Sequence, residues 1–158
     1  MKCLVVYYTR TGKTRDVAET IAAELGADLE EIVDLKKREG KLGWLSGGRD
    51  AMQKKQTEIA PTAKASCDYD LVLLGTPIWA WAPTPALRTY VARNVLVGRR
   101  VAVFYTFDSD PKQASEKIHE MLLGVKVVGE LPLKDPGKDK PDTQRAIVEW
   151  CRILKQVA

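Results

Sequence analysis

The sequence predicts an α/β domain built on a parallel sheet with helices on both faces. Two observations carry this. Short, almost wholly apolar runs alternate five times with longer amphipathic segments, the pattern of strands covered on both faces and joined by crossover helices. The chain is 158 residues long, enough for one domain that buries its own core without disulfide or metal staples. Residues 1–158 are therefore read as a single domain.

The elements follow in order. "KCLVVYY" is the first strand. "GKTRDVAETIAAEL" is a helix, since Val17, Ile21, Ala22 and Leu25 share one face. "DLEEIV" is a short strand with looser alternation. "WLSGGRDAMQKKQ" is a weak helix, broken early by Gly47 and Gly48. "DLVLLG" is a fully apolar strand. "PTPALRTYVARN" opens a helix with Thr84 as N-cap and Pro85 at the first helical position. "RRVAVFYT" is a buried strand, and "PKQASEKIHEMLL" a helix with Ala114, Ile118 and Leu122 aligned. "VKVVGEL" is the last strand. "LKDPGKDKPD" is a turn-rich loop. The closing helix, "KPDTQRAIVEWCRILKQVA", groups Ile147, Trp150, Cys151 and Leu154.

Composition excludes several classes. No stretch approaches the ~20 apolar residues that span a bilayer. The N-terminus lacks a small-residue cleavage site and reads as a mature strand. Cys3, Cys67 and Cys151 are odd in number and in no metal-like spacing, which points to reduced thiols in a cytoplasm. His119, the one histidine, falls inside a helix, so no Ser/His/Asp or Cys/His set is available. Residues 36–55 hold seven of the basic residues against Glu39 and Asp50, in a chain of net charge +4. This is a local basic segment without the aromatic interleaving of a nucleic-acid surface. It is either a solvated face or a docking patch for an acidic partner.

In a parallel sheet of this kind, ligands bind beyond the carboxyl ends of the strands. Three loops qualify: "TRTGKT", "GTPIWAWAPTP" and "YTFDSDP". The first hands a strand to a helix, whose unpaired N–H groups favour a phosphate. Thr9, Thr11 and Thr14 add hydroxyls, and Gly12 permits close approach. Helix capping by one threonine is the plainer alternative. A nucleotide-triphosphate loop needs glycine where Tyr7 stands. A phosphatase loop brackets five residues between Cys and Arg, whereas Cys3 and Arg10 bracket six. No G-x-G-x-x-G occurs, and a phosphoacceptor Asp is missing where Gly75 and Thr76 stand.

"TRTGKT" resembles the T/S-x-T-G-x-T phosphate loop of the flavodoxin family. "DYDLVLLGTPIWAWAPTPALRTYV" is similar to that family's second flavin loop, and "GKLGWLSGGRDAMQKK" to a linker of its small flavodoxin-like members. The resemblance covers most of the chain. It implies a three-layer, doubly wound, flavodoxin-like sheet of five parallel strands in order 2-1-3-4-5, one noncovalent FMN, and electron transport through the flavin. Residue by residue, Thr9, Thr11, Gly12 and Thr14 match the phosphate loop, with Arg10 and Lys13 at its variable positions. Lys13 replaces a common Asn, and a cation there favours a phosphate. Thr76, Pro77, Ile78 and Trp79 match the ring loop. Trp79 either stacks on the flavin or packs under the loop, and the same choice stands for Trp81.

In the third loop, Thr106, Phe107, Asp108 and Ser109 stand where many relatives have a glycine-rich turn. An Asx-type turn before a helix is the alternative there. The implied role is a cytoplasmic redox carrier between protein partners, an acidic one docking near Lys36, Lys37, Arg38 and Lys41. The alternatives are an oxidoreductase, taking hydride from NAD(P)H for a quinone or similar acceptor, and a flavin-free interaction module.

Overall fold

Val5 and Val6 are neighbours in the chain and belong to different cores. Successive side chains of a strand point to opposite faces, and the computed structural model, which describes residues 1–38, 40–137 and 139–157, uses both. Cys3, Val5, Tyr7, Leu71, Leu73, Ala102 and Phe104 form one core with Ile21, Ile147, Trp150 and Leu154. Leu4, Val6, Val72, Leu74, Val101 and Val103 form the other with Ala51, Leu87, Tyr90 and Ile118. Full burial on both sides is why these strands lack the polar alternation of a half-solvated sheet.

The order of elements is β1 (Cys3–Tyr7), α1 (Lys13–Leu25), β2 (Asp28–Glu31), α2 (Gly40–Met52), β3 (Leu71–Trp79), β4 (Ala82–Pro83), α3 (Pro85–Arg93), β5 (Arg100–Phe107), α4 (Ala114–Met121), β6 (Lys126–Lys134) and α5 (Pro141–Val157), with a 3-10 turn at Ser66–Asp68. The sheet runs β2-β1-β3-β5-β6. With the two-residue β4 left out of the count, this is the expected order 2-1-3-4-5. Its paths are parallel, and only β4 pairs antiparallel, on β3. The chain winds outward in both directions from β1 and β3, so the crevice opens at their carboxyl ends. Lys138 in the turn-rich loop and Ala158 at the end of the last expected helix lie outside the described residues.

Several boundaries differ from expectation, each for a physical reason. β3 runs on to Trp79 because it folds back as a hairpin onto β4. β6 continues through Pro132, which an edge strand tolerates because its outer N–H groups need no ladder partner. α2 starts four residues earlier than expected and runs through Gly47 and Gly48. A Cβ at Gly47 would lie 2.9 Å from the Trp79 ring, so the glycine is a point of close packing and not a break. α2 ends where Lys54 takes a left-handed φ of 55°. Thr84 caps α3 as expected, its hydroxyl accepting from the Leu87 amide, with Pro85 first in the helix.

A buried charge cluster fixes α2 to the end of β2. Arg38 Nε donates to Asp34 at 2.7 Å and Nη1 to Asp50 at 3.1 Å, with all three side chains at most 5% exposed. Asp34 also accepts from the Thr57 hydroxyl, and Asp50 from Lys36. This corrects one expectation for the basic segment: Arg38 is an internal strut, not a surface charge. Asp50 is held below the usual carboxylate range, chiefly by Lys36 and then by Arg38 against the cost of burial. A depressed carboxyl stabilises the fold above its unfolded value of ~3.9 and loses that contribution as pH falls through its folded value. The cluster's stability should therefore fade on acidification below about pH 4. Removing one member leaves the others buried and unpaired. Arg38→Met should cost ~3–5 kcal/mol in urea unfolding, whereas Lys37→Met, at an exposed position, should stay within ~0.5 kcal/mol. Similar small effects from both would contradict the strut.

Candidate functional site

The loops after β1, β3 and β5 meet α2 around a cavity of about 590 Å³. Arg10, Thr11, Lys13 and Thr14 line it from the first loop, Pro77 to Trp81 from the second, and Thr106 to Asp110 from the third. Thr9, Gly12 and Thr76 do not line it. They shape it.

The start of α1 is open. Gly12, at φ 97°, precedes the helix with no side-chain cap. The amides of Lys13, Thr14 and Arg15 have no acceptor among the described residues. The three threonines divide their work. Thr9 Oγ1 accepts from the Gly12 amide at 3.1 Å and sets the turn. Thr14 Oγ1 meets Thr106 Oγ1 at 2.9 Å and ties the first loop to the third. The Thr11 hydroxyl is exposed and unengaged among the described residues. A hydroxyl has one proton and two lone pairs. If Thr106 gives its proton to Thr14, Thr14 keeps its own for a ligand.

Lys13 does not stand free for an anion. Its ammonium lies 2.7 Å from both Asp108 and Asp135, and Asp135 is also paired with Lys140. Asp108 and then Asp135 raise the Lys13 pKa, and Lys13 first, then Lys140, pull Asp135 down to about 2. The chain of charges ties three loops together at the surface. Asp110 accepts from the Lys112 amide in an Asx turn. It does not cap α4, whose N-cap is Gln113.

In the second loop, the Thr76 hydroxyl is wholly buried and bonded to Pro77 O and Thr84, which fixes the hairpin base. Trp79 is 8% exposed, edge-on to Tyr8, with the Arg10 and Arg38 guanidiniums 5.2 and 5.9 Å from its ring. Packing under the loop describes it well. Trp81 is the opposite, 40% exposed, with Lys112 Nζ 4.1 Å over its ring. It sits on a two-residue turn with Ala80, both at positive φ. His119 lies outside the cavity and pairs with Glu130 at 2.8 Å. No cluster able to hold a metal is present among the described residues.

The fourth wall was not expected. Trp44, Leu45, Gly48, Arg49 and Met52 of α2 line the cavity. Their spacing is one helical face, a signal hidden by reading the two glycines as an interruption. Together the walls offer an anion-receptive helix start beside a largely apolar space wide enough for a planar ring. Alanine in the left-handed region costs ~1–2 kcal/mol. Ala80→Gly should therefore raise stability by ~0.5–1 kcal/mol after its larger unfolded-state entropy. The check is a higher urea midpoint at unchanged slope; no gain would mean the turn is unstrained.

The flavodoxin family model matches residues 2–139. A flavoprotein from Lactobacillus acidophilus NCFM, solved in complex with FMN, is 25% identical, covering 85% of this chain and 93% of that one, at a TM-score of 0.73. A protein from Bacteroides uniformis ATCC 8492 superimposes at a TM-score of 0.80 with 22% identity over 96% of this chain and 97% of its own. Oxidised flavodoxin 2 from Bacillus cereus matches over 100% of both chains at 18% identity and a TM-score of 0.68. No curated protein matches the sequence.

Proposed function

The chain belongs to the flavodoxin family, and from that premise we propose that it binds one FMN and carries electrons between redox partners. The observation that carries this is the uncapped start of α1, set in a cavity whose other walls are largely apolar and aromatic. Bound FMN supplies reversible electron transfer through its ring system. The chain supplies the rest. The amides of Lys13, Thr14 and Arg15, with the Thr11 and Thr14 hydroxyls, take the phosphate. Arg10 adds charge on the same side. Pro77 to Trp79 and Phe107 bound the ring and limit water. The absence of any helix long and apolar enough to cross a membrane among the described residues, and three free cysteines, fit a cytoplasmic carrier.

A second reading is an FMN-dependent NAD(P)H reductase acting on a quinone or similar acceptor. The apolar α2 wall, with Trp44 59% exposed, favours it, because it leaves room beside a flavin. Oxidation of NAD(P)H by the holoprotein with a quinone present separates the two.

Of the four residues expected to border a docking face, Lys37 and Lys41 are exposed with no ion pair among the described residues, while Lys36, also exposed, pairs with Asp50. Reversing Lys37 and Lys41 should slow reduction by an acidic partner at low salt and matter little at high salt. An unchanged low-salt rate returns the segment to a solvated face.

FMN should bind more tightly than riboflavin. Replacing Thr11 and Thr14 with Val should weaken FMN by roughly tenfold, the loss of about 1.4 kcal/mol of charge-assisted hydrogen bonding, and leave riboflavin nearly unchanged. Equal wild-type affinity for the two would contradict the phosphate site. Asp108 contributes negative charge at the third loop that Lys13 offsets only in part. Asp108→Asn should then raise the potential of the couple ending in fully reduced flavin by on the order of 10–40 mV, the scale of an exposed charge pair. A spectroscopic redox titration at low salt checks this, and an unmoved potential would place the carboxylate apart from the ring.

A further inference from the structure

Helix α2 has two faces with different employment. Gly43, Gly47, Asp50 and Ala51 are buried against the protein. Trp44, Leu45, Gly48, Arg49 and Met52 face the cavity. Trp44 and Leu45 are 59% exposed, Met52 51%, and Trp81 across the cavity 40%. Large apolar side chains grouped this way mark a binding surface. Here the surface forms one wall of a cavity that the hairpin tip and the third loop also line.

The charges in the cavity are nearly all spoken for. Lys13 is held by Asp108 and Asp135, and Asp110 by the Lys112 amide. Arg10 lies over Trp79 within the phosphate loop. The Arg49 side chain has no ion pair or hydrogen bond among the described residues, while its carbonyl accepts from the Gln53 amide. It stands five residues beyond Trp44 on α2, about 7.5 Å along the helix. A guanidinium offers a planar fork that fits a carboxylate bidentately. Two indole rings with exposed surface, Trp44 and Trp81, line the same cavity and suit a flat aromatic.

We propose that this face of α2 is a subsite, beside the FMN, for a planar aromatic ligand bearing a carboxylate, held by Arg49 and covered by Trp44 and Trp81. The inference rests on the FMN reading of the adjoining space, and it concerns binding alone. A flavin fills the part of the cavity next to the first and third loops and uses the anion site at α1. Arg49 then remains for a second anion, and the α2 face for a second ring.

The test is calorimetric titration of the FMN-loaded protein with 2-naphthoate and with neutral 2-naphthamide, flavin occupancy being read from absorbance throughout. Naphthoate should bind about tenfold tighter than the amide, a difference of about 1.4 kcal/mol. Arg49→Gln should erase that preference while keeping amide binding, and Trp44→Ala should weaken both ligands. Several results would overturn the subsite: equal binding of the two ligands, a preference untouched by Arg49→Gln, or release of FMN in step with naphthoate uptake, which would give the face to the flavin. A dimer in sedimentation that Trp44→Ala converts to monomer would give it to a second copy of the chain. A wild-type protein that takes up no FMN sinks the underlying reading. Retained FMN with indifferent naphthoate sinks only the subsite.

Discussion

A helix that starts inside a cavity without a side-chain cap must have its first amides satisfied by something else. At Gly12 the sequence declines the ordinary solution. The Thr9 hydroxyl is turned back to accept from the Gly12 amide, and Thr14 is tied sideways to Thr106. The left-handed φ at Gly12 aims the chain so that Lys13, Thr14 and Arg15 present N–H groups with no competitor. Water can serve them, but an anion serves them better, because the helix dipole adds to the hydrogen bonds. The rest of the site is arranged around that opening. The parallel order of β1, β3 and β5 brings three loops to one edge, and Thr14–Thr106 and Lys13–Asp108 clamp the first of them to the third.

Charge does two different jobs in this molecule. The Asp34–Arg38–Asp50 cluster is buried, and its members cannot be removed singly without stranding the others. It sets where α2 lies and therefore where Gly47 meets Trp79 and where Trp44 faces the cavity. The Asp108–Lys13–Asp135–Lys140 chain is exposed, so each link is weak. Its value is positional, since it holds loop ends together and offsets one carboxylate beside the proposed flavin.

The five parallel strands and their helices were legible because burial on both faces leaves a plain mark in sequence, as in "CLVVY" and "LVLLG". Thr84–Pro85 was legible because capping is local chemistry. The first loop was legible as a cluster of types, but the separate duties of Thr9, Thr11 and Thr14 were not, since Thr106 lies 92 positions from Thr14. The β3–β4 hairpin escaped because its turn uses Ala80 and Trp81, residues that ordinarily avoid positive φ. The α2 wall escaped because Gly47 and Gly48 read locally as breakers, while their reason is a tertiary contact with Trp79. Arg38 looked like one more basic surface residue. Only its partners, four and twelve positions away, show otherwise.

The most direct measurement is a backbone amide NMR titration of the apoprotein with FMN and, in parallel, with riboflavin. The account requires the amide protons of Lys13, Thr14 and Arg15 to move strongly downfield with FMN and to stay near their starting positions with riboflavin, while the amides of Pro77-flanking Thr76 and Ile78 and of Phe107 respond to both. If FMN perturbs the ring-loop amides yet leaves those at the start of α1 in place, the phosphate lies elsewhere, and the uncapped helix start is not the feature on which the site depends.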